Sequence, residues 1–255
     1  MIELNRIYNE DCLEGMKRIP DASVDCIICD LPYGTTACKW DTIIPFEPLW
    51  EQYERIIKDN GAIVLFGAEP FSSKLRLSNL KNYKYDWIWK KPRGTGHLNV
   101  KIQPLRDIEN ISVFYRKQCL YNPQYSKGEP YSSLKGGKTS RISESGKTTY
   151  GKFNNGAEFR NDNDGFRYPK QVLEFNVVER DTLHPTQKPV ALIEYLIKTY
   201  TNEGETILDN CMGSGTTAVA AIRTKRNFIG FELQKEYFDI ANKRIKDEQQ
   251  QLSLF

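Results

Sequence analysis

Short apolar runs alternate with amphipathic stretches along most of this chain. Val24–Cys29 is apolar at nearly every position and Ala62–Phe66 at all of them, as strands covered on both faces should be. Shorter runs at Arg6–Tyr8, Tyr85–Trp89, Asn110–Tyr115, Thr206–Leu208 and Asn227–Phe231 read as further strands. Helical spacing falls between them. It marks Cys12–Ile19 (stopped by Pro20-Asp21), Leu49–Lys58 (with Asn60-Gly61 as its C-cap) and Phe71–Leu80. It returns over Val190–Tyr200, with Thr186 placed to cap it, then over Ala218–Arg223 and Lys235–Glu248. Strands alternating with helices predict an α/β fold with a doubly wound, mostly parallel sheet.

The pattern fades between Lys117 and Arg180. Gly, Ser, Thr, Asn and Lys dominate residues 126–164, with Tyr and Phe interleaved, and from Lys117 to Arg180 basic residues outnumber acidic ones by 11 to 7. A solvated linker has this texture, and so do the loops of a nucleic-acid reader. Three parts follow: residues 1–116, an inserted region over 117–183, and residues 184–255.

Two strand ends carry candidate chemistry. Val24–Cys29 runs directly into Asp30-Leu31-Pro32-Tyr33-Gly34. An ordinary strand-to-turn junction uses the same residue types. At the carboxyl end of a parallel strand, they also suit a flat heterocycle bearing an amino group. Tyr33 can lie on the ring, and Asp30 and the Leu31 carbonyl can accept its N–H groups. The second strand end, Asp209 to Thr217, is an acidic residue and a Gly213-Ser214-Gly215 loop opening a helix, and Glu232 ends the next strand. Backbone amides there can approach a ligand, and Glu232 can bind ribose hydroxyls. The Lys of a phosphate-binding P-loop is missing. Gly213-x-Gly215-x-x-Ala218 comes close to a dinucleotide fingerprint, so NAD is a rival ligand. Asp209 would repel a pyrophosphate, whereas it suits a cationic amino group such as the methionine end of S-adenosylmethionine.

Composition narrows the class. The chain has 255 residues, 39% hydrophobic and 27% charged, with a formal net charge of +3, as for a folded protein that tolerates a polyanion. No apolar stretch approaches the ~18 residues of a membrane span, and Met1–Asn5 lacks a signal-peptide core, so a cytoplasmic, nucleoid-associated location is expected. Cys26 and Cys29 fit C-x-x-C within a strand, where they point to opposite faces; with His97 and His184 as the two histidines, no metal site is expected. Trp87 and Trp89 read as strand packing, Lys90–Arg93 as a solvated strand end or a DNA-backbone contact, and His97 as a loop residue or phosphate contact.

Asp-Leu-Pro-Tyr-Gly, then His-Pro-Thr-Gln-Lys-Pro after the variable insert, then Asp-x-x-x-Gly-Ser-Gly-Thr-Thr, in this order, resemble the β-class DNA amino-methyltransferases. The resemblance covers residues 1–115 and 184–245. It implies a Rossmann-like methyltransferase sheet with a target-recognition insert, S-adenosylmethionine as cofactor, and methyl transfer to adenine N6 or cytosine N4 of a flipped base in double-stranded DNA. Asp30, Leu31, Pro32 and Tyr33 would be catalytic. Asp11, Asp30, Thr186, Lys188, Asp209, Gly213, Gly215, Thr216 and Glu232 would hold the cofactor, with Thr186 and Lys188 near its methionine end. A homodimer and a cognate restriction endonuclease are further candidate partners. Two positions depart from the family pattern: Leu31 replaces a Pro, and Asp209-Asn210-Cys211 replaces Asp-Pro-Phe. An initial Asp, rather than Ser, is nearer the adenine-specific members. A non-catalytic DNA-binding protein on this scaffold and an NAD-dependent oxidoreductase are the competing functions.

Overall fold

Strand β2, Val24–Cys29, is apolar because helices cover both of its faces. The computed structural model describes residues 2–36, 38, 41–135, 147–148, 151–152, 159–177 and 187–252. Eight strands form the central sheet. Besides β2 they are β1 (Arg6–Tyr8), β3 (Ile57–Gly67), β4 (Tyr83–Thr95), β5 (Arg106–Phe114), β6 (Val172–Glu174), β7 (Thr206–Asp209) and β8 (Asn227–Phe231). Their order is β1-β8-β7-β2-β3-β5-β4-β6. β5 pairs antiparallel with both its neighbours, and every other pairing is parallel.

Alternation along the strands divides the core in two. Cys26 and Ile28 of β2, with Ala62, Val64 and Phe66 of β3, face α4 (Val190–Tyr200), α5 (Thr216–Arg223) and α6 (Lys235–Leu252). Ile27 and Cys29, with Ile63 and Leu65, face α1 (Cys12–Met16), α2 (Phe46–Ile56) and α3 (Phe71–Ser78). A register shift between Val24 and Cys26 puts Val24 on this second face. Cys26 and Cys29 therefore sit on opposite faces.

Several boundaries differ from expectation: α1 ends at Met16, β4 runs on to Thr95, and Pro189, without a side-chain hydrogen bond, takes the N-cap place of α4 expected of Thr186. α2 ends at Ile56 and β3 begins at the next residue, so Asn60-Gly61 lies inside a strand and is not a C-cap. Ile57 pairs with Val24 of β2, and this pairing overrides the helical spacing that reached Lys58. Gly61 is required for another reason: a Cβ there would lie 2.7 Å from the Asp25 carbonyl oxygen.

The topology places the site. From β2 the chain passes through α2 to β3 on one side, and from β7 it passes through α5 to β8 on the other. The winding reverses between β2 and β7, and the carboxyl ends of such neighbours open a crevice.

The chain divides into a larger unit, Met1–Asn122 with Lys170–Phe255, and a smaller one, Pro123–Pro169. Cys119 and Leu173, which flank the smaller unit in sequence, are buried in the larger core, so not all of the segment 117–183 stands apart from it. The smaller unit is built of antiparallel ribbons, Tyr131–Lys135 with Phe159–Asn163 and Ser126–Lys127 with Phe166–Arg167. Tyr125 packs against Phe166 and Tyr168, yet all three rings stay exposed. Among the described residues no helix is long and apolar enough to cross a membrane.

Candidate active site

Asp30 follows the last residue of β2, and the chain turns away at once. Leu31 is buried; Gly34 takes φ +67, a conformation that favours glycine. Asp41 holds the turn by accepting hydrogen bonds from the backbone amides of Gly34, Thr35 and Thr36 at 2.8, 2.9 and 2.6 Å. Burial alone would raise the Asp41 carboxyl, but the Thr36 hydroxyl and these amides hold it below the usual carboxylate range.

Both oxygens of Asp30 are engaged. The Tyr33 hydroxyl donates to Oδ1 at 2.5 Å, and the Lys188 ammonium donates to Oδ2 at 2.6 Å. Burial raises the Asp30 carboxyl above its ordinary value, with Lys188 opposing it and Glu109 adding to it. Burial, with Asp30 and Glu109 nearby, pushes the Tyr33 phenol well up, so it remains a donor at neutral pH. One face of the Tyr33 ring stacks on Phe71, with centroids 5.0 Å apart and planes at 27°.

The second strand end is more self-contained. Asp209 accepts from the Thr217 hydroxyl at 2.6 Å and the Cys211 amide at 3.1 Å, and burial raises its carboxyl to about 6. Gly213 and Gly215 both lie in the left-handed region, at φ +53 and +85. Glu232 accepts from the Gly213 amide at 2.7 Å and the Gln234 amide at 2.8 Å, tying the glycine loop to the end of β8. Burial raises its carboxyl as well. Asp11 caps α1 by accepting from the amides of Leu13 and Glu14.

The Asn210 departure has a local explanation. Asn210 is buried; its carbonyl accepts from the Tyr53 hydroxyl, and its amide donates to the thiols of Cys12 and Cys211 at 3.5 and 3.6 Å. A buried Asn is tolerated here because its polar atoms are paired.

These elements open into one cleft of about 900 Å³. Asp11, Asp30, Leu31, Pro32, Tyr33, Lys188, Asp209, Gly213, Thr216 and Glu232 all line it. Gly215 does not; a Cβ there would lie 2.9 Å from that of Ala241, so its bare α-carbon lets α5 pack against α6. Thr186 and His184 lie outside the described residues.

Several residues of the site carry no sequence motif. Glu109 on β5 and Lys91 on β4 line the cleft beside Lys188. Arg244 of α6 donates to the Ser214 carbonyl at 2.6 Å and fixes the glycine loop from behind. Alternation signalled Glu109: it shares a strand face with buried Ile111 and Val113. Lys91 is turned inward to Glu109, leaving Lys90 as the exposed lysine of that run. Trp87 and Trp89 are buried, donating to the Tyr200 hydroxyl and the Phe175 carbonyl. His97 lies in the exposed β4–β5 loop at the cleft's edge. Among the described residues no group of three or more His, Cys, Asp or Glu is arranged to hold a metal ion.

Comparison with known proteins places this arrangement. A family model described as DNA methylase matches residues 24–243. The Type II methyltransferase M1.MboII of Moraxella bovis is 27% identical over 263 residues, covering 95% of this chain and 96% of that protein. The crystal structure of an M1.HpyAVI–SAM complex superposes with a TM-score of 0.61 at 27% identity, covering 94% of this chain and 98% of that one. The PvuII DNA methyltransferase, described as cytosine-N4-specific, has a TM-score of 0.64 at 16% identity over 95% of this chain and 90% of that one, a likeness of fold alone.

Proposed function

This chain belongs to the DNA methylase family of N6/N4 amino-methyltransferases, and from that premise we propose that it transfers the methyl group of S-adenosylmethionine to N6 of an adenine flipped out of double-stranded DNA. One observation carries the reading: the Asp30-Leu31-Pro32-Tyr33 turn and the Asp209–Thr216 loop open into the same cleft from neighbouring strand ends.

The residues of that cleft fit the cofactor. Asp209 and Glu232 are carboxylates, for an amino group and ribose hydroxyls respectively, and the glycine loop lets the backbone come close. Asp11 lines the same wall. Asp209, placed ahead of the glycine loop, would repel a pyrophosphate, which disfavours the NAD alternative. Bound there, S-adenosylmethionine supplies an electrophilic methyl on a sulfonium.

The remaining work falls to the chain's own side chains. An adenine amino nitrogen is a weak nucleophile because its lone pair is delocalised into the ring. Asp30 and the Leu31 carbonyl accept its two N–H bonds, favouring a pyramidal nitrogen and stabilising the positive charge that develops on it. Preorganised contacts of this kind are worth on the order of a hundred-fold in rate each. The rigid turn held by Asp41 supplies alignment. The amino group faces its pairing partner in a duplex, so the base must leave the stack. Stacking on Tyr33 offsets part of that cost, at ~1–3 kcal/mol for a base on an aromatic ring.

The adenine assignment is supported by Asp30 at the head of the motif. DNA contact is supported by the β4–β5 loop at the cleft's edge, which exposes Leu98, Ile102 and Lys101, and by the exposed rings of the smaller unit, a target-recognition region on this reading. Methylating DNA from a methylation-deficient host with the purified protein and calling modified bases directly tests base and site together. N6-methyladenine at one short sequence is expected. N4-methylcytosine overturns the choice of base, and an unmodified product overturns the activity.

A further inference from the structure

Four charged side chains alternate in sign along one wall of the cleft. Asp30 contacts Lys188 at 2.6 Å, Lys188 contacts Glu109 at 3.3 Å, and Glu109 contacts Lys91 at 2.5 Å. Only 8% of the Lys188 side chain and 12% of the Glu109 side chain are exposed. Burying charges this deeply is costly unless each is paired, and leaving a pair incomplete is costlier still. Burial would lower the Lys188 ammonium, but Asp30 and Glu109 together raise it, so it stays charged. Burial would raise Glu109, but Lys188 and then Lys91 bring it below its ordinary value.

The family resemblance gives Lys188 to the methionine end of the cofactor. Its ammonium donates to Asp30 and lies 3.3 Å from the Glu109 carboxylate. We propose that Lys188 is a positioning residue for methyl transfer that acts through Asp30, and that Glu109 is the second seat to which its ammonium shifts when the target amine takes up Asp30. This rests on the methyltransferase reading of the cleft.

Charge explains why two seats are needed. The arriving amine is neutral, so Lys188 must stay close enough to keep Asp30 ionised in a buried place. As the nitrogen attacks, it becomes cationic, and a lysine still seated on Asp30 Oδ2 would repel it. The lysine's flexible stem lets the ammonium exchange its tighter contact on Asp30 for one on Glu109 through a small displacement. Lys91 balances Glu109 throughout. Among the described residues the Tyr33 hydroxyl, the Cys29 thiol and the Asp209 carboxylate also act on Asp30, and none of these is a cation.

Two near-isosteric variants separate this role from a merely structural one. Lys188→Met removes the cation that opposes burial at Asp30, so the acid limb of the kcat profile moves to higher pH. Glu109→Gln removes an anion that raises Asp30, so the acid limb moves to lower pH, while the plateau kcat falls because Lys188 has lost its second seat. Lys188→Arg keeps the charge and restores the limb towards that of the wild type. The assay is transfer from methyl-tritiated S-adenosylmethionine to DNA from a methylation-deficient host, with S-adenosylmethionine affinity measured by calorimetry.

For Lys188→Met, kcat at neutral pH should fall about a hundred-fold with cofactor affinity within about three-fold. Loss of cofactor affinity in proportion to rate returns Lys188 to the cofactor and overturns the proposal. Acid limbs that stay fixed, or move together, overturn it as well. If Lys188→Met does not fold, the Glu109→Gln profile decides alone. A wild-type protein that binds S-adenosylmethionine but methylates no DNA defeats the parent reading instead, a result distinct from any of these.

Discussion

Asp30 and Asp209 end neighbouring parallel strands and line one cleft, yet they are held in opposite ways. Asp209 takes its two closest partners from its own loop and helix, the Cys211 amide and the Thr217 hydroxyl, and these, like the Cys29 thiol that also acts on it from β2, are neutral. Asp30 takes one partner from Tyr33, three residues on, and the other from Lys188, 158 residues away, and that partner is a cation with a second carboxylate within reach. Burial raises both carboxyls; at Asp209, where it carries the carboxyl to about 6, neutral donors oppose it, whereas at Asp30 a cation does. A shared lysine supplies charge and leaves the oxygen exchangeable. The first arrangement suits a fixed anchor for a bound molecule, and the second suits a group that must take a new partner during each turnover.

The strongest way to break this contrast is at Asp30. Asp30→Ala should lower methyl transfer by about a thousand-fold or more, since it removes an acceptor and frees the ammonium to face the nucleophile. Cofactor affinity should change little, because Asp209 and Glu232 are untouched. Labelled-methyl transfer and calorimetry measure the two separately. Wild-type turnover in this variant would end the catalytic assignment.

A smaller, opposite pattern is expected at Asp209. Asp209→Asn should weaken S-adenosylmethionine binding by about ten-fold, the size of one charge-assisted hydrogen bond, while barely changing the rate at saturation. The pH dependence follows in sign. The folded-state carboxyl sits near 6, above its ordinary value, so the fold favours the protonated form; its stability contribution is full at low pH and is lost as pH rises through about 6. The Asn variant, free of a buried charge, should therefore melt at a higher temperature than wild type at pH 7 without cofactor. Wild-type cofactor affinity should drop below about pH 6, and the variant should lose that limb. An Asn variant that melts lower at pH 7 would refute the burial argument.

The same contrast explains what the sequence could and could not disclose. The Asp209 loop is written in adjacent residues, so an acid, two glycines and a following helix were enough to recognise it. β2 and β3 were equally legible, because strands covered on both faces must be apolar throughout. Glu109 and Lys91 belong to no contiguous motif. Glu109 reaches Lys188 because β5 runs antiparallel, which brings the start of that strand beside the carboxyl ends of its neighbours, Lys91 on β4 among them. Ligand groups sought only at the ends of parallel strands leave out Glu109, whereas Lys91 lies in the Lys90–Arg93 run, expected to be a solvated strand end or a DNA-backbone contact and found turned inward. The α2–β3 junction failed for a related reason: pairing of Ile57 with Val24 is a tertiary event that helical spacing does not record. Gly215, expected as a ligand-loop glycine, also meets a need the local pattern does not record: besides its φ of +85 it admits the approach of Ala241 from α6, a contact between residues far apart in sequence.

The finest test of the contrast is the hydroxyl of Tyr33. Tyr33→Phe keeps the ring on Phe71 and removes only the donation to Asp30. This hydrogen bond is present before and during transfer, so most of its ~1.5–3 kcal/mol does not bear on kcat; with Lys188 still holding the other oxygen, kcat should fall by about ten-fold or less. The lost bond had lowered the Asp30 carboxyl, so the acid limb should move to slightly higher pH, the same direction as for Lys188→Met but by less. The KM for DNA should not change, because the ring that receives the base is intact. Tyr33→Ala should add a rise in that KM of about five-fold or more, as expected for losing a base–aromatic stack. If Phe and Ala behave alike, the ring holds no base, and Tyr33 serves only to aim Asp30. If Phe matches wild type at every pH, the lysine alone sets the charge on Asp30, and the difference between the two acids is sharper than the two-partner geometry implies.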